Sequence, residues 1–330
     1  MAAVVMKRRL VIVCMLGIAI FWGVMVVCLR HQVEKSRDQA RLIERIVKAS
    51  GSVHFHQPRW KIPVRLQRFI KPPQRVQRVV FDFEEHPNLE HFPFEDLKIF
   101  NDLEELDLHA CGADGEAISG LVELRRFKKI DLGYGRIGDV GYDRLSKFRA
   151  LEVLNLSSAD VTDERMRRIG RITTLKSLAL SDGPDSITNL GLSYLQPLSE
   201  LEELSLYGMP ITDDGLETVG HFRRLKQLTL TRTKVAGPGL AHLRSCPELS
   251  DLRLDWLPLD NDDLRFVGEL TSLTHLNLIS TPITDAGLVH LKSLKNLQTL
   301  WLNLTAVTPS AVEDLKQSLP NLNFVSLGRL

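Results

Sequence analysis

From Val76 onward, apolar residues recur in an L-x-x-L-x-L pattern. Its units start at Val76, Leu103, Phe127, Leu151, Leu175, Leu201, Leu225, Leu249, Leu273, Leu297 and Leu322. Seven of the ten intervals are 24 residues, and the others are 27, 26 and 25. Positions 1, 4 and 6 are apolar in all eleven units, although only 44% of the chain is apolar. A fixed period in this range predicts a solenoid, in which each unit buries its apolar edge only against its neighbours.

The unit Leu201–Arg224 predicts the local structure. Leu204 and Leu206 alternate with Glu203, Ser205 and Tyr207, as the two-residue period of a strand requires. Thr212-Asp213 offers oxygens to cap a helix, and Leu216, Val219 and Phe222 form its buried face. The Thr-Asp step recurs at Thr162-Asp163 and Thr284-Asp285, with Thr188-Asn189 as its near equivalent. Gly237-Pro238 and Thr308-Pro309 supply a proline suited to the first helical position. Stacked units give an α/β solenoid with a parallel sheet on the concave side and helices on the convex side. Cys246 falls in a core column with Phe222 and Leu270. Cys111 sits at position 9, where small residues let the backbone turn; both read as structural. Position 2 alternates in charge through Glu104, Lys128, Glu152, Lys176, Glu202 and Lys226, which predicts a ladder between neighbouring strands.

Ahead of the repeats the pattern changes. Leu10 to Leu29 is free of charged residues and flanked by Lys7-Arg8-Arg9 and Arg30. Twenty residues at about 1.5 Å each reach roughly 30 Å, one hydrocarbon core, which predicts a retained transmembrane anchor. No A-x-A-like site follows it, as a cleaved signal peptide would require. The basic flank after the span would put the repeats in the cytoplasm by the positive-inside count. The short basic tail before a single span is similar to an uncleaved export signal, and on that likeness the repeats are expected on the non-cytoplasmic side. Val33, Ala40, Ile43 and Val47 share one helical stripe over Val33–Ser50, and Ser52–His56 alternates like a strand. Together they predict the N-terminal cap. His54 and His56 are read as surface histidines, because a structural zinc site needs four ligands. The chain thus divides into a basic tail (1–9), an anchor (10–29), a basic juxtamembrane helix, linker and cap (30–75), and the repeats (76–330).

Charge follows the same division. Residues 1–75 hold 15 Lys and Arg against 3 Asp and Glu, and the remainder holds 27 against 38. The basic segment suits either anionic lipid or a solvated linker. The acidic repeats carry no basic patch for nucleic acid.

Leu-x-x-Leu-x-Leu followed by Ile283-Thr284-Asp285-Ala286-Gly287-Leu288 resembles leucine-rich repeats. With the basic tail, span, Ala40–Arg45 helix and Gly51–Phe55, nearly the whole chain resembles membrane-anchored leucine-rich-repeat proteins of the planctomycete type. That resemblance implies a horseshoe or arc, a membrane anchor and protein binding, with no catalytic residue to carry over. Phe92–Phe100 faintly resembles the start of an F-box, but it lies inside the first unit and reads as that unit's convex helix.

A partner would meet the concave positions 3, 5, 7 and 8. The N-terminal half offers Glu105, Asp107, His109, Asp131 and Asn155. The C-terminal half offers Tyr207, Arg253, Asp255, Trp256, His275, Asn277, Trp301 and Asn303, and this is the expected binding patch, because Trp, Tyr and Arg dominate hot spots. The competing reading has Trp256 leaning into the loop core and Trp301 covering the last strands. No catalytic constellation, phosphate loop, metal spacing or cofactor motif is found. The function expected is a membrane-tethered recognition or scaffold module for protein or peptide, with the bilayer contacted through 10–29. The alternative is a substrate-recruiting subunit of an enzyme complex, ubiquitin-ligase-adaptor-like, or a divergent enzyme. The last unit ends at Leu327 without a polar cap, so self-association through that end is also expected.

Overall fold

The computed structural model describes residues 34–49, 51–55, 75–81, 89, 92, 94–112, 114–119, 121–181 and 187–328. The stretch 10–29 lies outside them, and among the described residues no helix is long and apolar enough to cross a membrane.

Helix α1 (34–48) leads into strand β1 (Gly51–Phe55), which pairs antiparallel with β2 (Val76–Phe81). Ten parallel strands follow, one per unit. They are β3 (Glu105–Asp107), β4 (Lys129–Asp131), β5 (Val153–Leu156), β6 (Ser177–Ser181), β7 (Glu203–Tyr207), β8 (Gln227–Thr229), β9 (Asp251–Arg253), β10 (His275–Asn277), β11 (Thr299–Trp301) and β12 (Phe324–Ser326). All twelve form one sheet in sequence order. Position 4 pairs with position 4 throughout, as in Leu204 with Leu228 and Leu276 with Leu300. The leucines at positions 1, 4 and 6 are buried apart from the half-buried Leu327 of the last unit, so the hydrophobic period sets the register.

The convex layer holds α2 (Gly115–Ser119), α3 (Gly138–Leu145), α4 (Asp163–Ile169), α5 (Asn189–Ser193), α6 (Asp213–Val219), α7 (Gly237–Leu240), α8 (Leu264–Gly268) and α9 (Pro309–Ser318). Three further segments, Phe94–Ile99, Ala241–Ser245 and Asp285–Ser293, are 3-10 rather than α-helical. The tighter 3-10 turn rises further per residue, so a short segment can still span its unit. Phe94–Ile99 is the convex element of the first unit. Phe94 and Leu97 are buried, and Phe81, Phe92 and Phe94 meet edge to face at 5.0–5.9 Å. Leu42 and Ile46 of α1 cover that end of the core.

The Thr-Asp step works in two directions. Thr162, Thr284 and Thr308 each accept from a backbone N–H of their own helix at 3.3 Å. Thr212 differs from the expected cap: its hydroxyl accepts from Asn189 Nδ2 of the preceding unit, at 2.7 Å. The following Asp or Asn reaches the next repeat. Asn189 Oδ1 accepts from Thr212 N–H at 3.1 Å, Asn261 Oδ1 from Thr284 N–H at 2.9 Å, and Asp285 from Thr308 N–H at 2.7 Å. The Phe127 unit lacks the step. There the fully buried Tyr142 donates to Asp160 at 3.5 Å, and Arg165 bridges Asp160 at 2.9 Å and Asp139 at 3.0 Å. Burial first, then the Asp160 charge, pushes the Tyr142 phenol far up.

Cys111 and Cys246 are free thiols in the core, 1% and 3% exposed. The position-2 column closes in pairs, Glu152–Lys176 at 3.1 Å and Glu202–Lys226 at 2.7 Å. Such solvated pairs fix register more than they stabilise.

Candidate functional site

The concave face ends in a row of turns that share one backbone conformation. Among the described residues, position 8 adopts a positive φ at Ala110, Tyr134, Ser158, Arg232, Trp256, Ser280 and Leu304, between 54° and 61°, and at Gly208. The sequence pointed to position 9 as the turn; the left-handed residue is one earlier. Position 9 N–H closes each turn on the position 6 carbonyl, as in Thr233 to Leu230 at 3.1 Å. Position 8 N–H reaches the next unit's position 7 carbonyl, as in Trp256 to Ile279 at 2.9 Å, except at Ser158, whose N–H bonds the Ser181 hydroxyl at 3.0 Å. This conformation favours glycine and is an outlier for bulky residues. Nevertheless Tyr134, Trp256 and Leu304 occupy it with side chains 59%, 50% and 43% exposed.

In the C-terminal half, two clusters gather most of the expected patch. The Arg232 guanidinium lies 5.0 Å from the Trp256 ring and 5.9 Å from the Tyr207 ring, so a cation is held between two aromatics. Beside it, Asp255 accepts from the Thr231 hydroxyl at 3.0 Å, and Arg253 faces Asp251 at 3.6 Å. The second cluster is a diagonal aromatic stack: His275 and Trp301 at 6.4 Å and 27°, then Trp301 and Phe324 at 6.1 Å. His275 Nδ1 shares a hydrogen with the Thr274 hydroxyl at 2.8 Å.

Two expected residues face differently. Asn277 Oδ1 accepts from Ile279 N–H at 2.9 Å, a turn-forming bond that occupies its acceptor. Asn303 is 6% exposed, with its Oδ1 buried, so it lines the core side of the turn rather than an open surface. Trp256 does not lean into the loop core. Arg232, Phe324 and Leu304 were absent from the expected patch. Their signal was the position 8 column and, for Phe324, position 3 of the last unit.

The N-terminal half is a hydrogen-bonded polar strip. Asp131 accepts from Asn155 Nδ2 at 2.8 Å and from Gly133 N–H at 2.9 Å, and it meets His109 Nδ1 at 3.2 Å. Arg78 approaches Glu105 at 3.7 Å and Asp107 at 3.4 Å, so these acids are largely engaged within the sheet. Among the described residues no group of three His, Cys, Asp or Glu is placed to hold a metal ion.

Comparison with known proteins fits this geometry. The family model for the leucine-rich repeat matches residues 269–292, one unit around β10. An internalin from Listeria monocytogenes is 26% identical with a TM-score of 0.56; the match covers 71% of this chain and 64% of that one. The plant peptide hormone receptor RGFR1, solved in complex with RGF2, is 15% identical at a TM-score of 0.43, over 71% of this chain and 41% of that one. No curated protein matches the sequence. With one sheet, parallel from β2 onward, and a convex helical layer, the chain has the fold of a leucine-rich-repeat solenoid, and one of its units matches the family model.

Proposed function

We propose that this chain is a recognition module that binds protein or peptide without catalysis, through the C-terminal half of its concave face. The membrane stretch at 10–29 tethers it, with the repeats on the non-cytoplasmic side. The observation that carries the binding reading is the Tyr207–Arg232–Trp256 cluster. Two of its three residues hold a backbone conformation that glycine would adopt more easily, and both leave the side chain exposed. Strain kept at an exposed site points to function rather than stability. Large aromatics with an arginine are also the residue types from which binding hot spots are built.

The test is selection of a displayed peptide library on the full chain, followed by Trp256→Ala and Trp301→Ala. Removing a central anchor costs about 2 kcal/mol or more, so affinity should fall at least roughly 30-fold. Selected peptides that bind both variants as tightly as the parent would remove this patch from consideration. For the tether, protease accessibility of a C-terminal tag in intact and then permeabilised cells reads the side of the membrane. Protection until the inner membrane is lysed would reverse the orientation proposed.

A further inference from the structure

A basic groove lies on the edge of the solenoid where convex segments turn back into strands. It has a volume of about 800 Å³ and is lined by Val122, Glu123, Leu124, Arg125, Lys147, Arg149 and Ala150. Arg125, Lys147 and Arg149 are exposed, as is Arg171 in the next unit. Among the described residues none of these four has a carboxylate partner. Neighbouring cations on the same edge are paired instead: Arg126 with Asp102 at 3.1 Å, Lys176 with Glu152 at 3.1 Å. Further along the same edge the charge turns acidic and paired, with Glu200 bound by Arg224 and Glu269 by Arg244. The later cations of the same column bond backbone carbonyls instead, Arg223 to Ser245 and Lys295 to Ser318, each at 2.8 Å, so the cations of this edge left without either kind of partner lie in the units nearest α1.

The direction of α1 gives that confinement a meaning. Its start lies at this edge: Lys35 Nζ stands 3.0 Å from the Asn101 side-chain amide, and Gln39 donates to the Ile99 carbonyl at 3.4 Å. Its end lies at the opposite edge, where Arg45 pairs with Asp96 at 3.0 Å and Ile46 packs beside Gly51. Asn101 precedes its strand unit by two residues, as Arg125 and Arg149 precede theirs. The helix thus begins at the turn column that carries the free arginines one and two repeats later. Arg30 and the uncharged stretch 10–29 lie only a few residues upstream of that start.

We infer that this edge, through Arg125, Lys147 and Arg149, docks on the anionic phospholipid headgroups of the membrane that holds the anchor, and so fixes the arc's orientation on the bilayer. The inference rests on the tethered reading above. The half-buried Val122 beside the cations suits the boundary between headgroups and water, and each basic residue close to such a surface adds a comparable electrostatic attraction.

The full chain in proteoliposomes tests this, with phosphatidylcholine alone or mixed with phosphatidylglycerol. The readout is acylation of Lys147 by a water-soluble amine reagent, with exposed Lys292 on the convex side as internal reference. With phosphatidylglycerol, Lys147 labelling should fall roughly tenfold while Lys292 stays constant, and high salt should restore it. The exposed double variants R125E/R149E and R125Q/R149Q should lose the protection. Equal Lys147 labelling in both lipids, or equal protection in the variants, overturns the docking. An alkaline carbonate wash separates the two readings. Protein that stays in the vesicle but labels equally sinks the docking alone, whereas protein that washes off sinks the tether and the docking with it.

Discussion

Asp163 holds Thr188 of the next repeat by two bonds, accepting from its backbone N–H at 2.8 Å and from its hydroxyl at 2.6 Å. The glycine that follows, Gly191, makes room for this. A Cβ there would stand 2.2 Å from Asp163 Oδ1 and 2.6 Å from Ile187 Cγ2. Gly215 against Asn189 and Gly287 against Asn261 repeat the arrangement, at 2.6 and 2.7 Å. The Thr-Asp-x-Gly-Leu signature is thus a clasp between units as much as a helix cap.

Asp163→Ala should therefore destabilise the chain by about 0.5–1.5 kcal/mol, the net worth of a hydrogen bond whose exposed donor water can satisfy once the carboxylate is gone. Gly191→Ala should cost a similar amount through the clash, while Gly191→Ala combined with Asp163→Ala should cost less than the sum. Denaturant unfolding of the four proteins checks this, and full additivity would contradict the clasp.

Much of this architecture was legible in the sequence, because the leucines that define the period are the same atoms that fill the core. Strand starts, register and the paired members of the position-2 column followed from spacing alone. The orientation of position 7 did not. It is a boundary column, exposed at His109 but buried at Thr231 and Asn303, so a two-residue period cannot place each member. Arg232 was equally invisible as an anchor, since its role comes from Tyr207 and Trp256 on the units to either side. The choice between α and 3-10 geometry was hidden too, because both wind apolar residues onto one face over a few residues.

The row of left-handed residues gives a second prediction. Leu304→Gly removes a branched side chain from φ 59° and should stabilise the chain by up to about 1 kcal/mol, less the entropy glycine adds to the unfolded state. Thermal unfolding reads the sign. A clear loss of stability would mean that Leu304 contributes packing its exposure does not reveal.

Burial pushes the Cys246 thiol up to about 11, against a minor opposing effect of Arg223. The folded protein should then resist thiol alkylation at Cys246 near neutral pH and react fully once unfolded. Because the folded value is raised, the neutral thiol's stabilising effect holds at neutral pH and fades as pH climbs toward 11. Rapid labelling of the native protein at neutral pH would show that this core opens.

Lys226 holds the Glu202 carboxyl below its usual range, chiefly by hydrogen bonding. The associated stability is present above the ordinary carboxylate pKa and is lost as pH falls through the lowered one. Lys226→Met should thus abolish only a shallow acid-side slope in the stability profile. Because the pair is solvated, a large change at neutral pH would show that the column does more than set register.

The closing bonds of each rim turn run between backbone atoms, so they persist whatever side chain position 8 carries. Alanine, tyrosine, serine, arginine, tryptophan and leucine all occupy it with nearly the same φ. Substitutions there are uncoupled from the leucine core beneath. Neighbouring rim positions stand about 4.8 Å apart, close to the spacing of strands in a sheet. A lineage could rewrite this row letter by letter, changing what the arc recognises while each intermediate still folds.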